Sequence, residues 1–235
     1  MAAKYKSRKD LLKKPDEFIT LTGRAIAIAR DYQNQISYAL LAIVAIGLIF
    51  LGYRFFAQRA ETKAFAMLQE TQSAYQTQKA ASSAKEAYSK VSQSFEDIIK
   101  KYGGNAGGKL ARVIYANISY DAGQYENAIA LYKQSLNDFQ DDAAVYNLIL
   151  HSLGHAYQQM KDTQNAAAYF ERAATQTDSL MREDALFNLG WVYQKMGEAA
   201  KSQQALQQIL DDYPNSLYFE MVQEELSARK DDSSS

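Results

Sequence analysis

Between Asp31 and Arg54 the chain carries no charged side chain, a run of 22 residues. Its centre, Ile36 to Tyr53, reads ISYALLAIVAIGLIFLGY and offers no polar face. As a helix rising about 1.5 Å per residue it spans ~27 Å, close to the ~30 Å hydrocarbon thickness of a bilayer. Tyr38 and Tyr53 stand near its ends, where amphipathic rings favour the interface. The expectation is a transmembrane helix over 32–56. The apolar run exceeds the usual ~7–15 residues of a cleaved signal peptide. The A-x-A triplet Ala64-Phe65-Ala66 lies well beyond it. An uncleaved signal-anchor is therefore expected.

Flanking charges orient the anchor. Before it stand Lys4, Lys6, Arg8, Lys9, Lys13, Lys14, Arg24 and Arg30; soon after it come Arg54, Arg59 and Lys63. The side richer in Lys and Arg stays cytoplasmic. Residues 1–31 are thus expected in the cytoplasm and 57–235 across the membrane, which in a bacterium means inner membrane and periplasm. Phe18, Leu21, Ala25, Ile28 and Tyr32 recur at helical spacing after Pro15-Asp16-Glu17, a helix start. This basic segment either lies on an anionic leaflet as an amphipathic helix or only sets topology.

The net charge of −1 averages two unlike parts. Residues 1–53 hold eight basic and four acidic groups, net +4; residues 54–235 hold 18 and 23, net −5. Such a chain is not a globally basic nucleic-acid binder. The absence of cysteine excludes disulfides, thiolate metal sites and Cys nucleophiles.

Internal similarity organises the rest. Leu189-Gly190-x2-Tyr193 matches Leu153-Gly154-x2-Tyr157, 36 residues earlier, and Tyr115-Ala116 takes the Leu-Gly place further upstream. The second halves also align: Ala128-x3-Tyr132-x2-Ser135, Ala166-x3-Phe170-x2-Ala173 and Ser202-x3-Leu206-x2-Ile209. The last closes on Tyr213-Pro214-Asn215. The pattern resembles the tetratricopeptide repeat, whose period is about 34 residues. Small residues (Ala116, Gly154, Gly190) let the first helix approach its neighbours; Tyr132, Phe170 and Leu206 fill the space between pairs. Gly123 and Gly197 suit the turn between helices, and Lys161 stands in that place in the middle repeat.

The register is 109–142, 147–180 and 183–216. A degenerate unit, 57–108, precedes it: Phe95-x2-Ile98-x3-Tyr102 repeats the spacing of Leu206-x2-Ile209-x3-Tyr213. Its long first helix continues from the anchor, and the polar stretch 76–85 is expected to loop. Leu217–Arg229 reads as a polar cap helix, completing the segment 109–229, and 230–235 as a disordered tail. The fold class is all-α: a single transmembrane helix followed by an α-solenoid of about three and a half tetratricopeptide repeats.

Several motifs invite chemical readings. Gly103-Gly104-Asn105-Ala106-Gly107-Gly108-Lys109 matches a phosphate-binding loop up to Leu110, which stands where Ser or Thr should be, and a helix rather than a strand precedes it. A flexible inter-repeat turn is the simpler reading. His151 and His155 share a helix face at i,i+4, but no Glu follows His151 and no third ligand is evident. Asn117-Ile118-Ser119 is a glycosylation sequon placed mid-helix. Asp141-Asp142 and Asp211-Asp212 fall at helix ends as solvated termini. No nucleophile, base and oxyanion site come together, so no enzyme, cofactor, metal or small-molecule substrate is expected.

In this register the first helices line a concave groove. Val113, Asn117 and Tyr120 come from the first repeat, His151, His155 and Gln158 from the second, Phe187, Trp191, Gln194 and Lys195 from the third. Aromatic, amide and imidazole groups together suit a peptide, with apolar anchors and partners for its backbone. The alternative is that several of them pack against the cap or a neighbouring repeat. A Lys/Asn clamp for a C-terminal carboxylate is not evident, since Val113 and His151 stand where a basic residue would help.

The layout as a whole resembles the YfgM-like family of single-pass tetratricopeptide proteins, over roughly 30–235; Lys13-Lys14-Pro15-Asp16-Glu17-Phe18-Ile19 looks like a lead-in seen in some members. The resemblance implies an accessory of the Sec translocon that cooperates with periplasmic chaperones and binds secretory clients. The alternative is a structural scaffold of an envelope assembly such as division, polysaccharide export or outer-membrane biogenesis. Both make the chain a protein-binding module, with protein partners and the lipid bilayer but no nucleic acid.

Overall fold

The computed structural model describes residues 30–176 and 181–233, together with Gly23, Ile26 and Ile28. The basic segment 1–22 lies outside the described residues, as do most of its helical periodicity, residues 177–180, Ser234 and Ser235. The elements among the described residues are helices, with no strand. Contacts divide the chain into Met1–Arg59 and Ala60–Ser235.

In the first unit, helix α1 (Gln33–Ala81) begins with the uncharged run. Its apolar side chains, Leu40, Ile43, Val44, Ile46 and Ile49 among them, stand exposed and are covered by no other part of the chain. It is the one described helix long and apolar enough to cross a membrane. A helix that is apolar all round requires apolar surroundings.

The second unit starts within α1. Ala64, Leu68, Thr71 and Tyr75 are buried at 4-3-4 spacing, one stripe of the helix. Polar residues 76–81, expected to loop, remain helical: Ala, Gln and Lys favour helix, and no Gly or Pro intervenes. The break comes only at Ser82-Ser83, where the Ser83 hydroxyl accepts from the Glu86 N–H and caps α2 (Ala84–Tyr102).

Helices then alternate in pairs: α3 (Ala106–Asp121) with α4 (Tyr125–Asp138), α5 (Ala143–Gln159) with α6 (Thr163–Ala174), α7 (Arg182–Lys195) with α8 (Ala199–Asp212), and α9 (Phe219–Ser233). From α2 onward each packs on its neighbours in sequence, the nearest-neighbour logic of a solenoid. The core is a continuous stripe of small and large residues. A Cβ on Gly154 would stand 2.5 Å from the Phe170 ring, and one on Gly190 2.5 Å from Leu206, so a larger residue at either place would force its neighbour to shift. Tyr115 stacks between Tyr88 and Phe95 at 5.7 and 5.2 Å, which accounts for three of the many aromatic residues.

The Gly103–Lys109 segment is not a flexible turn throughout. Helix α3 starts at Ala106, and Gly107 and Gly108 are buried in its first turn. Its free N–H groups at Ala106 and Gly107 donate to the Glu61 carboxylate of α1, at 3.1 and 2.8 Å. A carboxylate there also meets the positive end of the helix dipole. A phosphate-binding role is thereby displaced by an internal cap.

The turns within the three helix pairs share one hydrogen-bond pattern. Gln124, Asp162 and Glu198 N–H groups donate to the carbonyls of Ser119, Tyr157 and Tyr193, five residues back. Such a turn requires one left-handed residue. Gly123 has φ 75°, Gly197 has φ 78°, and Lys161 has φ 60° in the equivalent place. A side chain in that region costs roughly 1–2 kcal/mol. Lys161→Gly is expected to stabilise the domain by about 1 kcal/mol, less the added freedom of the unfolded chain, readable as a higher Tm.

At the far end, α9 extends past Arg229 to Ser233 rather than stopping where a tail was expected. It begins at Phe219, not Leu217, whose side chain is exposed. Val222 and Leu226 bury one face of it, and Arg229 binds both Glu225 and the Ser202 hydroxyl.

A candidate groove across three tetratricopeptide repeats

The first helices α3, α5 and α7 bring most of the expected groove residues to neighbouring places. Asn117, Tyr120 and His155 line one cavity of about 200 Å³ with Asp121, Tyr132 and Ser152. The Tyr132 hydroxyl donates to Asn117 Oδ1, and Tyr120 meets Tyr125 edge-on at 5.5 Å. Burial pushes the Tyr120 phenol above its ordinary pKa, so it remains a neutral donor and acceptor. Val113 does not join them. It is 5 % exposed and belongs to the core, although it stands one turn before Asn117 on the same side of α3.

On α5 the two histidine rings meet edge-to-face at 4.5 Å, and the Phe170 ring packs against them at 5.7 and 5.2 Å. His155 Nδ1 lies 3.2 Å from the Gln158 amide oxygen. Burial, then the adjacent His151, holds the His155 imidazole below its usual pKa. His151 Nε2 contacts Asp184 Oδ2 on α7, and the other oxygen of Asp184 accepts from the Tyr218 hydroxyl. The His151 hydrogen bond keeps the Asp184 carboxyl below the ordinary carboxylate range, while Asp184 pushes the Tyr218 phenol up to about 12.

Tyr218 carries the arrangement into the third repeat. Its ring stacks on Phe187 at 4.0 Å, and Phe187 meets Trp191 edge-on at 6.0 Å. Phe187 is thus partly committed to the cap, and it and Trp191 are both half-buried. Gln194 and Lys195 are exposed at the end of α7, and the Gln194 amide reaches Glu225 at 3.3 Å. Asp184 and Tyr218 were not legible as groove residues. Asp184 sits in the first turn of α7, where an acid reads as a partner of the helix dipole. Tyr218 falls in a loop whose packing depends on long-range contacts.

A larger crevice, about 600 Å³, opens between α6, α7 and α8 beside Glu171, Arg182, Leu186, Tyr193 and Lys201. Its charged groups are already engaged: Glu171 with Tyr193, Arg182 with the Ala174 carbonyl and Asp212, Lys201 over the Tyr193 ring. Internally paired walls describe a seam between repeats better than a receptor. The buried serines are similarly spent, Ser119 and Ser135 on carbonyls one turn back and Ser202 on the Gly190 carbonyl.

Two profiles of the tetratricopeptide-repeat family match the chain, over residues 149–176 and 184–216. The chain contains tetratricopeptide repeats. The matched stretches lie within the second and third repeats of the register above, and the first shares their turn geometry. The backbone is similar to TPR-like repeats of a kinesin light chain from Podosopora anserina, at 17 % identity and a TM-score of 0.50, covering 61 % of this chain and 74 % of that one. It is also similar to BtubC (BKLC) of P. vanneervenii, at 14 % identity and a TM-score of 0.51, covering 73 % and 82 %. At such identities the likeness speaks for the fold. No curated protein matches the sequence significantly. Tetratricopeptide repeats make the chain a protein–protein interaction module.

Proposed function

We propose that this protein is a membrane-tethered binding module whose repeat groove captures protein segments at the far face of a bacterial inner membrane. The reading is supported by one chain holding an uncovered apolar helix, a cavity lined by Asn117, Tyr120 and His155, and a half-buried Trp191 on a later first helix. The groove offers what an extended segment needs: half-buried rings for apolar anchors, and amide, phenol and imidazole groups for backbone. Tethering concentrates groove and client in one place, so weak contacts suffice. With the resemblance to YfgM-like proteins, the partners of choice are the Sec translocon, periplasmic chaperones and emerging secretory chains. Residues 1–31 remain cytoplasmic and the repeats periplasmic in this reading.

A scaffold role draws on a different observation. Phe187 and Gln194 are already held by Tyr218 and Glu225, so the third repeat presents a preorganised surface. That suits one folded envelope partner. Trp191→Ala distinguishes binding from packing. It is expected to weaken partner capture about tenfold or more, because large half-exposed aromatics anchor interfaces. Circular dichroism should show helical content retained. Unchanged capture would remove the groove from the reading.

A further inference from the structure

We propose that His151, His155 and Asp184 form a site for one divalent transition-metal ion, Zn²⁺ the best matched, that bridges the second and third repeats. One ligand atom from each of the three lies within 4.8 Å of the others. Donors around a zinc ion with bonds of about 2.0–2.2 Å stand roughly 3–3.5 Å apart. That leaves at most about 1–2 Å for the three side chains to close. The histidines stand one turn apart on α5, so both rings leave the same helix face. Asp184 comes from α7, and the ion would therefore join two repeats rather than decorate one.

The donor set decides the class of ion. Two imidazoles and one carboxylate favour zinc and its transition-metal neighbours over magnesium or calcium, which prefer oxygen throughout. The surroundings already orient the ligands as an outer shell does. The Gln158 amide oxygen accepts from His155 Nδ1–H, which leaves the lone pair on Nε2. The Tyr218 hydroxyl holds the second oxygen of Asp184, and Phe170 fixes both rings. A simple ion pair would need one histidine; the second ring, held edge-on against the first, is what a pair leaves unexplained. The side chains of His151 and Asp184 are 12 % and 32 % exposed, enough for an ion to enter and for a fourth position to take water or a client's side chain. The site does not depend on which partner the groove takes.

The test uses the full chain in detergent micelles, stripped with a chelator and titrated with Zn²⁺ and then Co²⁺. One equivalent of Zn²⁺ is expected to bind and raise Tm, and Co²⁺ should give the intense visible bands of a low-coordinate site. His155→Gln and Asp184→Asn keep shape and hydrogen-bonding capacity; each is expected to weaken Zn²⁺ binding at least about tenfold while the circular dichroism spectrum is preserved. If both variants bind Zn²⁺ as the parent does, or the parent binds none at micromolar concentration, the site does not exist. A preference for Mg²⁺ or Ca²⁺ over Zn²⁺ would overturn it equally.

Discussion

Alanine at Gly108 is expected to destabilise the repeat domain by about 3 kcal/mol or more, the upper part of the overpacking range. A Cβ there would lie 1.9 Å from the Tyr102 carbonyl oxygen, 2.2 Å from its carbon and 2.7 Å from the Gly103 nitrogen. All three are backbone atoms, so no rotamer change relieves the clash; α2 and α3 must separate. That movement also strains the bonds from the α3 N-terminus to Glu61. For a domain of this size each 1 kcal/mol moves Tm by ~2–4 °C, so a fall of about 10 °C is expected by calorimetry. Gly104→Ala, four residues upstream, is the control. Nothing lies within 4 Å of its Cβ, and its φ is not positive, so Tm should hold or rise slightly.

Under the proposed anchoring, aspartates at Ile43 and Ile46 together are expected to release the chain from the membrane. Both side chains sit mid-run and are 65 % and 66 % exposed, so the substitutions disturb no packing within the chain. Each exchange costs about 3–4 kcal/mol at the centre of a spanning helix, and the pair ~6–8 kcal/mol. Alkaline extraction of membranes should leave the parent in the pellet and release the variant. Because the chain has no cysteine, orientation can be read with one introduced thiol. Lys90→Cys should react with an impermeant reagent once the outer membrane is opened, and Ser7→Cys only after the inner membrane is dissolved.

The repeats were legible because their packing rule is local and chemical. A glycine facing Phe170 or Leu206 leaves a trace in sequence at fixed spacing, and the structure places those atoms in contact. Lys161 shows the limit of the rule, since the turn keeps its left-handed geometry even where glycine is replaced. Misreadings arose where a partner is remote in sequence. The glycine run before α3 looks like a loop because Glu61, its cap, lies 45 residues earlier. The stretch 76–85 reads as polar and loose, yet helix propensity carries α1 to Ala81. Val113 reads as a groove residue from its place in the repeat alignment, yet it is buried in the core, because burial at a given repeat position depends on neighbours the alignment does not show. Asp184 escaped notice as a companion of the histidines because only the stacking of α7 on its predecessors brings it there.

A photoreactive residue at Gln194, exposed at the end of α7, tests the central claim most directly. Irradiated in intact cells, it should crosslink translocon subunits and diverse secretory chains, and Trp191→Ala should reduce those adducts. The same probe at Gln207, exposed on α8, serves as the control and should give few. One dominant folded envelope protein would instead favour the scaffold. Equal adducts from Gln194 and Gln207, insensitive to Trp191→Ala, would contradict a binding groove on these repeats.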